Sequence, residues 1–433
     1  MKIIHLIPGT GSGFYCQNCI RDIALVRALR RLGHDVVIVP LYLPISTDPA
    51  DLAGATPVFF GAVGLYLRER LPFLRRSPNW VGRMLDSPRL LNWAARKAGS
   101  TRASGLEAMT LSMLRGEHGR QARELSELVA WLTREGRPDV VHLSNALLLG
   151  LAPRLQEALG APVVCTLQDE DVWIAPMSPE VAQQIWDTMA EKARHVAVFT
   201  AVSQYYAERM APRLRLAPGQ MRTIHIGIDL GGCTSAPLTF NPPVIGYLSR
   251  LAESLGFGIL IEAFLKLKSN PRLRDLRLRA TGGQTADDRH FLQRLRARLV
   301  AAGCWQDLEI LSDFGGEARL EFLRSLSVLS VPVPGGEAFG TYQIEAMACG
   351  VPVVQPRLGA FPEIINQTGG GILYEPNDPV HLAAALEELL LDPARARQYA
   401  NAGRAAVFAN FGVQLMAEKM SRLYAEFATG KAT

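Results

Sequence analysis

The 433-residue sequence contains only six cysteines, so it does not suggest the disulfide framework of a small secreted domain. Cys16 and Cys19 form the one Cys-x-x-Cys pair. A structural zinc site is not expected, because a second such pair is missing. A thiol at a helix N-terminus can be activated, but a packing or loop role is the favoured interpretation of this pair.

A long apolar run is also missing. The best candidate, residues 146–164, is interrupted by Arg154 and Glu157, so no membrane-spanning helix is expected. The N-terminal MKIIHLIPG has one lysine and a six-residue apolar run, which is too short for the core of a signal peptide. We therefore predict a cytoplasmic protein whose first residues form a strand.

The net charge is weak at +5, and we expect no nucleic-acid partner. Residues 61–120 carry eleven Lys or Arg against four acids, a surplus of seven, so the rest of the chain nets −2. One interpretation of this segment is an amphipathic basic patch that rests on an anionic membrane at its inner face, or holds a lipid-linked acceptor. The other, more common arrangement is an inserted helical subdomain with solvated arginines.

The chain is too long for one hydrophobic core, and its pattern divides it into two α/β domains. Residues 2–41 predict strand, glycine-rich loop, helix and strand, a Rossmann-like opening. Residues 230–241 lose periodicity, and the pattern restarts at Val244. We predict a fold of two Rossmann-like domains that face each other across a deep cleft. The predicted boundaries are 1–236 (with a helical insertion at about 58–137), 237–411, and a C-terminal helix at 412–433 that crosses back to the first domain.

The most informative stretch is SVLSVPVPGGEAFGTYQIEAMACGVPVVQPRLGAFPEII, residues 327–365. It predicts strand, glycine-rich turn, short helix and strand, and ligands bind at the carboxyl ends of such strands. The helix N-terminus favours a phosphate. Glu337 and Glu345 flank that helix start, which indicates a ligand with phosphates and several hydroxyls.

The string EAFGTYQIEAMACGVPVV, with Glu337 and Glu345 eight residues apart, resembles the signature of retaining family 4 glycosyltransferases of the GT-B fold. The alternative is an ordinary βαβ unit with a solvated Glu face. The resemblance implies that Glu337 contacts the hydroxyls of the donor sugar and that Glu345 holds those of the ribose. It also implies a set of donor-binding backbone positions: Ala338, Phe339, Gly340 and Gly282.

On the phosphate side, the resemblance assigns Arg250 to a diphosphate clamp and makes it, with Glu337, a candidate catalytic residue. The family's neighbouring lysine falls on Leu255, so one cation of the clamp is missing. An arginine from the first domain, such as Arg21, is a candidate to replace it.

Gly11, Gly13 and Gln168 are predicted to line the acceptor side of the cleft. The family's Gly-Gly pair falls on Cys16–Gln17, and Gln168 takes the place of a common histidine. The acids that follow, 169–171, suggest either a metal site or a solvated loop. The loop is favoured, because metal sites need convergent ligands.

The sequence thus predicts transfer of a hexosyl or N-acetylhexosaminyl group from a nucleoside diphosphate sugar to an unidentified acceptor. The resemblance implies retention of configuration without a metal, a cofactor or an enzyme nucleophile. Two alternatives share the fold. A catalytically degenerate scaffold is favoured by Leu255, Gln168 and Cys16–Gln17, whereas an epimerase needs acid/base residues that the sequence does not place.

Overall fold

The computed structural model describes residues 1–9, 15–42 and 106–428. The chain divides into two compact units. The first holds the described residues of Met1–Ser12, Asn18–Ile224 and Ala417–Thr433. The second holds residues 15–17 and His225–Met416.

The first unit is built on a six-stranded parallel sheet in the order β2-β1-β3-β4-β5-β6. Its strands are β1 Lys2–Ile7, β2 Asp35–Pro40, β3 Val140–Leu143, β4 Val163–Leu167, β5 Val198–Ala201 and β6 Met221–Thr223. Every residue of β3, β4 and β5 is buried, as expected for parallel strands that are covered on both faces.

The described helices that precede or alternate with these strands include several that the sequence pattern predicts. They are α1 Gln17–Arg31, α2 Glu107–Leu114, α3 Ala122–Arg134, α4 Ala152–Leu159, α5 Glu170–Ile174, α6 Pro179–Ala193 and α7 Gln204–Arg213. A 3-10 helix, Ala146–Leu151, leads into α4. The strand, helix and strand predicted within residues 2–41 are confirmed.

The second unit also has a six-stranded parallel sheet, in the order β12-β11-β10-β7-β8-β9. Its strands are β7 Val244–Leu248, β8 Arg277–Thr281, β9 Leu308–Ile310, β10 Val328–Leu329, β11 Val353–Pro356 and β12 Gly371–Tyr374. The strand order reverses between β7 and β10, which is the switch point where ligands bind in such sheets.

Helices of the second unit connect these strands, and the last continues into the first unit. They are α8 Phe257–Lys268, α9 Arg289–Ala301, α10 Gly316–Arg324, α11 Thr341–Ala348, α12 Phe361–Thr368, α13 Pro379–Leu390, α14 Pro393–Asn410 and α15 Val413–Ala428. The strand expected at 328–333 is shorter than predicted. The elements α12, β12, α13 and α14 were not predicted.

Several predictions fall outside the described residues. Gly11 and Gly13 are among these, as is the part of the basic segment from 61 to 105. Residues 106–137 contain α2 and α3. Among the residues that the structure describes, no helix is long and apolar enough to cross a bilayer. Cys16 and Cys19 are disulfide-bonded, a bond that the packing or loop role favoured for this pair did not include.

Candidate functional site

The loop that precedes α11 packs directly against the turn before α12. Gly336 has φ +70°, and a Cβ at this position would lie 2.5 Å from the backbone nitrogen of Gly359. The Ala360 N–H donates to the carbonyl oxygen of Glu337 at 2.9 Å. Only glycine permits this approach, and the contact fixes the backbone of Glu337 beside the start of α11.

At the start of α11, some buried polar groups have no partner among the described residues. The predicted donor-binding residues Ala338, Phe339 and Gly340 lead into it and are buried. Thr341 Oγ1 and Gln343 Oε1 are buried too, and neither has a hydrogen-bond partner within the described part of the chain. Buried polar atoms of this kind usually bind a ligand or water, so this end of α11 is suited to a polar ligand.

Glu337 lies beside the same helix start. The Gln17 side chain donates from Nε2 to Glu337 Oε2 at 3.1 Å, and its Oε1 accepts from the Thr341 N–H at 2.5 Å. Burial, and next the charge of Glu337, raises the pKa of Tyr247 and of Tyr342 well above the usual value. The carboxylate is therefore close enough to influence phenols on both β7 and α11.

Glu345, one turn into α11, is only 4% exposed. Its Oε2 accepts from the Tyr15 hydroxyl at 2.7 Å, and its Oε1 lies 3.3 Å from Arg319 Nε. The charge of Glu345 is the main cause that raises the pKa of Arg319, whose guanidinium also lies 5.8 Å from the centre of the Tyr15 ring. Burial, followed by the charge of Glu345, raises the pKa of Tyr15.

The turns after β7 and β8 form the other side of the site. Gly282 has φ +123°, and a Cβ there would lie 2.3 Å from the Ser249 carbonyl oxygen. The Gly282 carbonyl accepts from the Tyr15 N–H at 2.8 Å. Arg250 is partly buried, and its Nη1 lies 3.9 Å from Asp288 Oδ2. Tyr15 thus contacts both the Gly282 turn and Glu345.

Leu255, at the position of the missing clamp lysine, and Arg21, its candidate replacement, both make contacts within their own units. Leu255 is half-buried in a 3-10 turn, where its carbonyl accepts from the Tyr247 hydroxyl at 3.1 Å. Arg21 is 3% exposed, is ion-paired with Asp22 and donates to the Ser144 carbonyl at 3.2 Å. Arg21 is thus held in the core of the first unit, and its replacement of the clamp lysine, expected only after domain closure, stays a prediction.

Gln168 follows β4 in the first unit. Its side-chain amide donates to the Ser144 carbonyl at 3.0 Å, and its Oε1 has no partner among the described residues. The side chain is 4% exposed. It therefore retains one unfilled acceptor for a hydroxyl donor.

The acids after Gln168 do not form a solvated loop, which corrects that expectation. Glu170 begins α5 and is 1% exposed, and it accepts from the Ala146 N–H and from the Tyr206 hydroxyl, each at 2.8 Å. Burial raises the pKa of Glu170 to about 7. Asp171 pairs with Arg209 at 2.6 Å. Nowhere within residues 1–9, 15–42 and 106–428 do three or more His, Cys, Asp or Glu side chains lie in an arrangement suited to a metal ion.

The structure places at this site three side chains that the sequence did not assign to it: Tyr15, Gln17 and Arg319. Arg319 lies on α10 among charged residues, where an arginine usually indicates a solvated face. Tyr15 and Gln17 border a glycine-rich loop that was assigned to the acceptor side. The one sequence feature that indicated a site role for Tyr15 is its position beside flexible glycines, and this feature is weak evidence.

Comparison with known proteins gives two family matches. Residues 107–231 match the model described as Glycosyltransferase Family 4, and residues 236–406 match Glycosyl transferases group 1. Over 429 residues the chain is 27% identical to an MMP alpha-(1->4)-mannosyltransferase of Mycolicibacterium hassiacum. This alignment covers 96% of the present chain and 94% of the relative. It is 30% identical over 201 residues to a D-inositol 3-phosphate glycosyltransferase of Corynebacterium diphtheriae, which is 45% of each chain.

A solved structure of Anabaena HepE, described as a complex with UDP and glucose, covers 98% of this chain and 99% of its own, with a TM-score of 0.71 at 16% identity. That likeness concerns the fold, and it agrees with the two parallel six-stranded sheets observed here. The two family matches, at residues 107–231 and 236–406, lie in the first and the second half of the chain. The chain belongs to the family 4 glycosyltransferases, which have the GT-B fold.

Proposed function

We propose that the protein is a retaining glycosyltransferase that moves a hexosyl or N-acetylhexosaminyl group from a nucleoside diphosphate sugar to an acceptor. One observation carries this proposal. Glu337 precedes a helix start and Glu345 lies one turn into the same helix, and buried polar atoms at that start have no hydrogen-bond partner among the described residues. The site lies at the switch point of the second sheet, where such folds bind ligands.

Each part of a nucleotide sugar has a counterpart among these residues. The first N–H groups of α11 are suited to phosphate oxygens, because a helix start carries unpaired donors and a positive dipole end. Arg250 supplies a cation for the leaving diphosphate. Glu345 is an acceptor for ribose hydroxyls, and Glu337 for those of the sugar. We propose that no metal, cofactor or protein nucleophile takes part, so that the acceptor attacks on the face that the diphosphate leaves.

The relatives support a hexosyl donor. A relative that is matched over nearly its whole length is named as a mannosyltransferase, and the structure of HepE was described with UDP and glucose. The donor base and the sugar are therefore best tested together. Isothermal titration with UDP and with GDP is the first experiment, and we expect binding of one of them. Failure of both nucleotides to bind to wild type and to the site variants described below would remove the donor-site assignment.

A second function is favoured by two observations. The clamp lysine is replaced by Leu255, and Tyr15 and Gln17 already contact both carboxylates. These features fit a scaffold that binds a nucleotide without turnover. A measurement of nucleotide-sugar hydrolysis in the absence of an acceptor distinguishes the transferase from the scaffold. Hydrolysis above that of a Glu337→Ala variant supports the transferase, whereas nucleotide binding without any hydrolysis supports the scaffold.

The acceptor side is proposed from sequence alone. The arginines of residues 61–105 fit contact with an anionic membrane or with a lipid-linked acceptor. Flotation with anionic vesicles at low salt tests this contact, with neutral vesicles as the control. Equal recovery with both vesicle types would remove the membrane proposal and leave the transferase proposal intact.

A further inference from the structure

Residues 15–17 contact the Gly282 turn, both carboxylates and the helix start of the site just assigned to the donor. By their contacts these residues belong to the second unit. The Tyr15 N–H donates to the Gly282 carbonyl at 2.8 Å, and its hydroxyl donates to Glu345 at 2.7 Å. Gln17 donates to Glu337 at 3.1 Å. One short segment therefore bonds to the turn, to the ribose carboxylate and to the sugar carboxylate.

The contact of Tyr15 with Glu345 imitates that of a ribose hydroxyl. The tyrosine and ribose hydroxyls are each O–H donors to a carboxylate. The Tyr15 and Glu345 side chains are each 4% exposed. The Arg319 guanidinium forms an ion pair with Oε1 and the Tyr15 hydroxyl donates to Oε2, so each oxygen of Glu345 already has a protein group beside it. Hydrogen bonds with one ionised partner are the stronger kind, so the Tyr15 contact is a substantial competitor.

Gln17 makes the corresponding contacts at the helix start. Its amide N–H donates to Glu337, as a sugar hydroxyl would. Its amide oxygen accepts from the Thr341 N–H at 2.5 Å, which is the kind of donor that a phosphate oxygen requires. The amide therefore offers Glu337 a donor and the helix an acceptor, as the sugar and phosphate of a donor substrate together would.

We propose that Tyr15 and Gln17 are an internal occupant of the donor site, which the nucleotide sugar must displace. This inference rests on the proposed function, since it names the competitor at the same site. The apparent affinity is then the intrinsic affinity multiplied by the fraction of molecules in which the segment has left the site. Tyr15 determines the affinity for the nucleoside part, and Gln17 determines that for the sugar.

The test compares wild type with Tyr15→Phe by titration with UDP, GDP and inorganic pyrophosphate. Phenylalanine retains the ring beside Arg319 and removes the competing hydroxyl. We expect the preferred nucleotide to bind about 10-fold more tightly, because a hydrogen bond to a charged group is lost only from the unliganded state. Pyrophosphate has no ribose, so its affinity should not change. Tyr399→Phe on the surface of α14 is the matched control, and we expect it to behave as wild type.

Equal or weaker nucleotide binding by Tyr15→Phe would overturn the proposal, because the hydroxyl would then not compete. A parallel change with pyrophosphate would also overturn it, since that points to a general rearrangement. Gln17→Ala provides an independent test if Tyr15→Phe does not fold. It should strengthen binding of UDP-glucose or GDP-mannose more than that of UDP or GDP, and an equal effect on both would contradict the assignment.

The outcomes separate this inference from the proposed function. Nucleotide binding by wild type without tighter binding by either variant removes only the internal occupant. If wild type and both variants fail to bind every nucleotide and nucleotide sugar, and none hydrolyses a donor, the proposed function fails and the occupant fails with it. Binding that appears only in the variants supports both.

Discussion

Glu337 and Glu345 lie eight residues apart but have different surroundings. Glu345 is buried next to Arg319, whose guanidinium offsets its charge. Glu337 is half-buried and accepts from the neutral amide of Gln17. A carboxylate that is paired with a guanidinium is suited to hold a ligand in a fixed position. A half-buried carboxylate that receives a neutral amide is better placed to interact with a group whose charge changes during a reaction.

We therefore expect Glu337→Ala to reduce the transfer rate by about 100-fold or more, which is the usual effect of removing one preorganised group from an active site. The fold should remain intact, because the backbone of Glu337 is held by Ala360. Donor turnover and thermal unfolding are measured together. Glu317→Ala on the exposed surface of α10 is the control. Full activity of Glu337→Ala would contradict the role given to this residue.

At Leu255 we predict a gain of affinity rather than a loss of activity. Lysine at this position would place an ammonium where the family has one, so Leu255→Lys should bind the nucleoside diphosphate about 10-fold more tightly. Leu255→Met changes the shape without adding charge and should behave as wild type. Titration with the nucleotide compares the three proteins. No gain with lysine would show that the turn does not direct position 255 toward the phosphates.

Strand ends and turns, rather than long elements, determine the geometry of the site. The reversal of strand order between β7 and β10 places the Arg250 turn beside the loop that carries Glu337. The Leu251 N–H donates to the Gly283 carbonyl at 2.9 Å and joins this turn to the one after β8. Gly282 makes that approach possible, because any side chain there would meet the Ser249 carbonyl.

Gly282→Ala should therefore displace both turns and abolish nucleotide binding. It should also destabilise the protein by more than the cost of a left-handed residue, which is about 1–2 kcal/mol. Gly303→Ala is the matched control, since Gly303 also has positive φ but has open space around its Cβ position. Denaturant unfolding and nucleotide titration compare the two. Similar losses of stability in both variants would show that the close approach to Ser249 is unimportant.

The elements differ in how far the sequence predicts them. The strands β1 and β7 match their predicted bounds, because an apolar run bounded by turns is a strong signal for a buried parallel strand. The strand at 328 stops at Leu329, where the predicted run continued to Val333. Apolar composition alone does not distinguish a paired strand from the buried loop that follows it. The acids after β4 were predicted to be solvated, but local sequence does not show burial that depends on distant partners such as Tyr206.

On the scale of the whole molecule, Glu170 links stability to pH. Its pKa is about 7 in the folded protein because it is buried, above its value in the unfolded chain. As the pH rises from about 4.5 to about 7, the unfolded chain releases this proton while the folded protein retains it. Stability therefore falls across that window, by about 3 kcal/mol from this group alone. Above the folded pKa the loss is complete.

Glu170→Gln should remove most of this dependence, because the amide does not titrate. The measurement is the unfolding free energy of wild type and variant between about pH 5 and pH 8. The quantity compared is the slope of the unfolding free energy against pH. A uniform loss of stability, caused by an amide that accepts fewer hydrogen bonds than the carboxylate, leaves that slope unchanged. His142, whose pKa is lowered by burial, contributes an opposite slope that both proteins share. The exposed Glu180→Gln variant should keep the wild-type slope, and a slope unchanged in Glu170→Gln would contradict the prediction.

The sequence by itself determined the two α/β halves, the family and the predicted roles of Glu337, Glu345 and Arg250. Local patterns are sufficient for these, because alternating apolar runs, glycine turns and a short motif are read along the chain. Only the tertiary structure placed Tyr15 and Gln17 beside the two acids, and only it showed that Arg21 is buried and that Glu170 is not solvated. These facts depend on contacts between residues far apart in sequence, where burial and pairing decide which charges a ligand can reach.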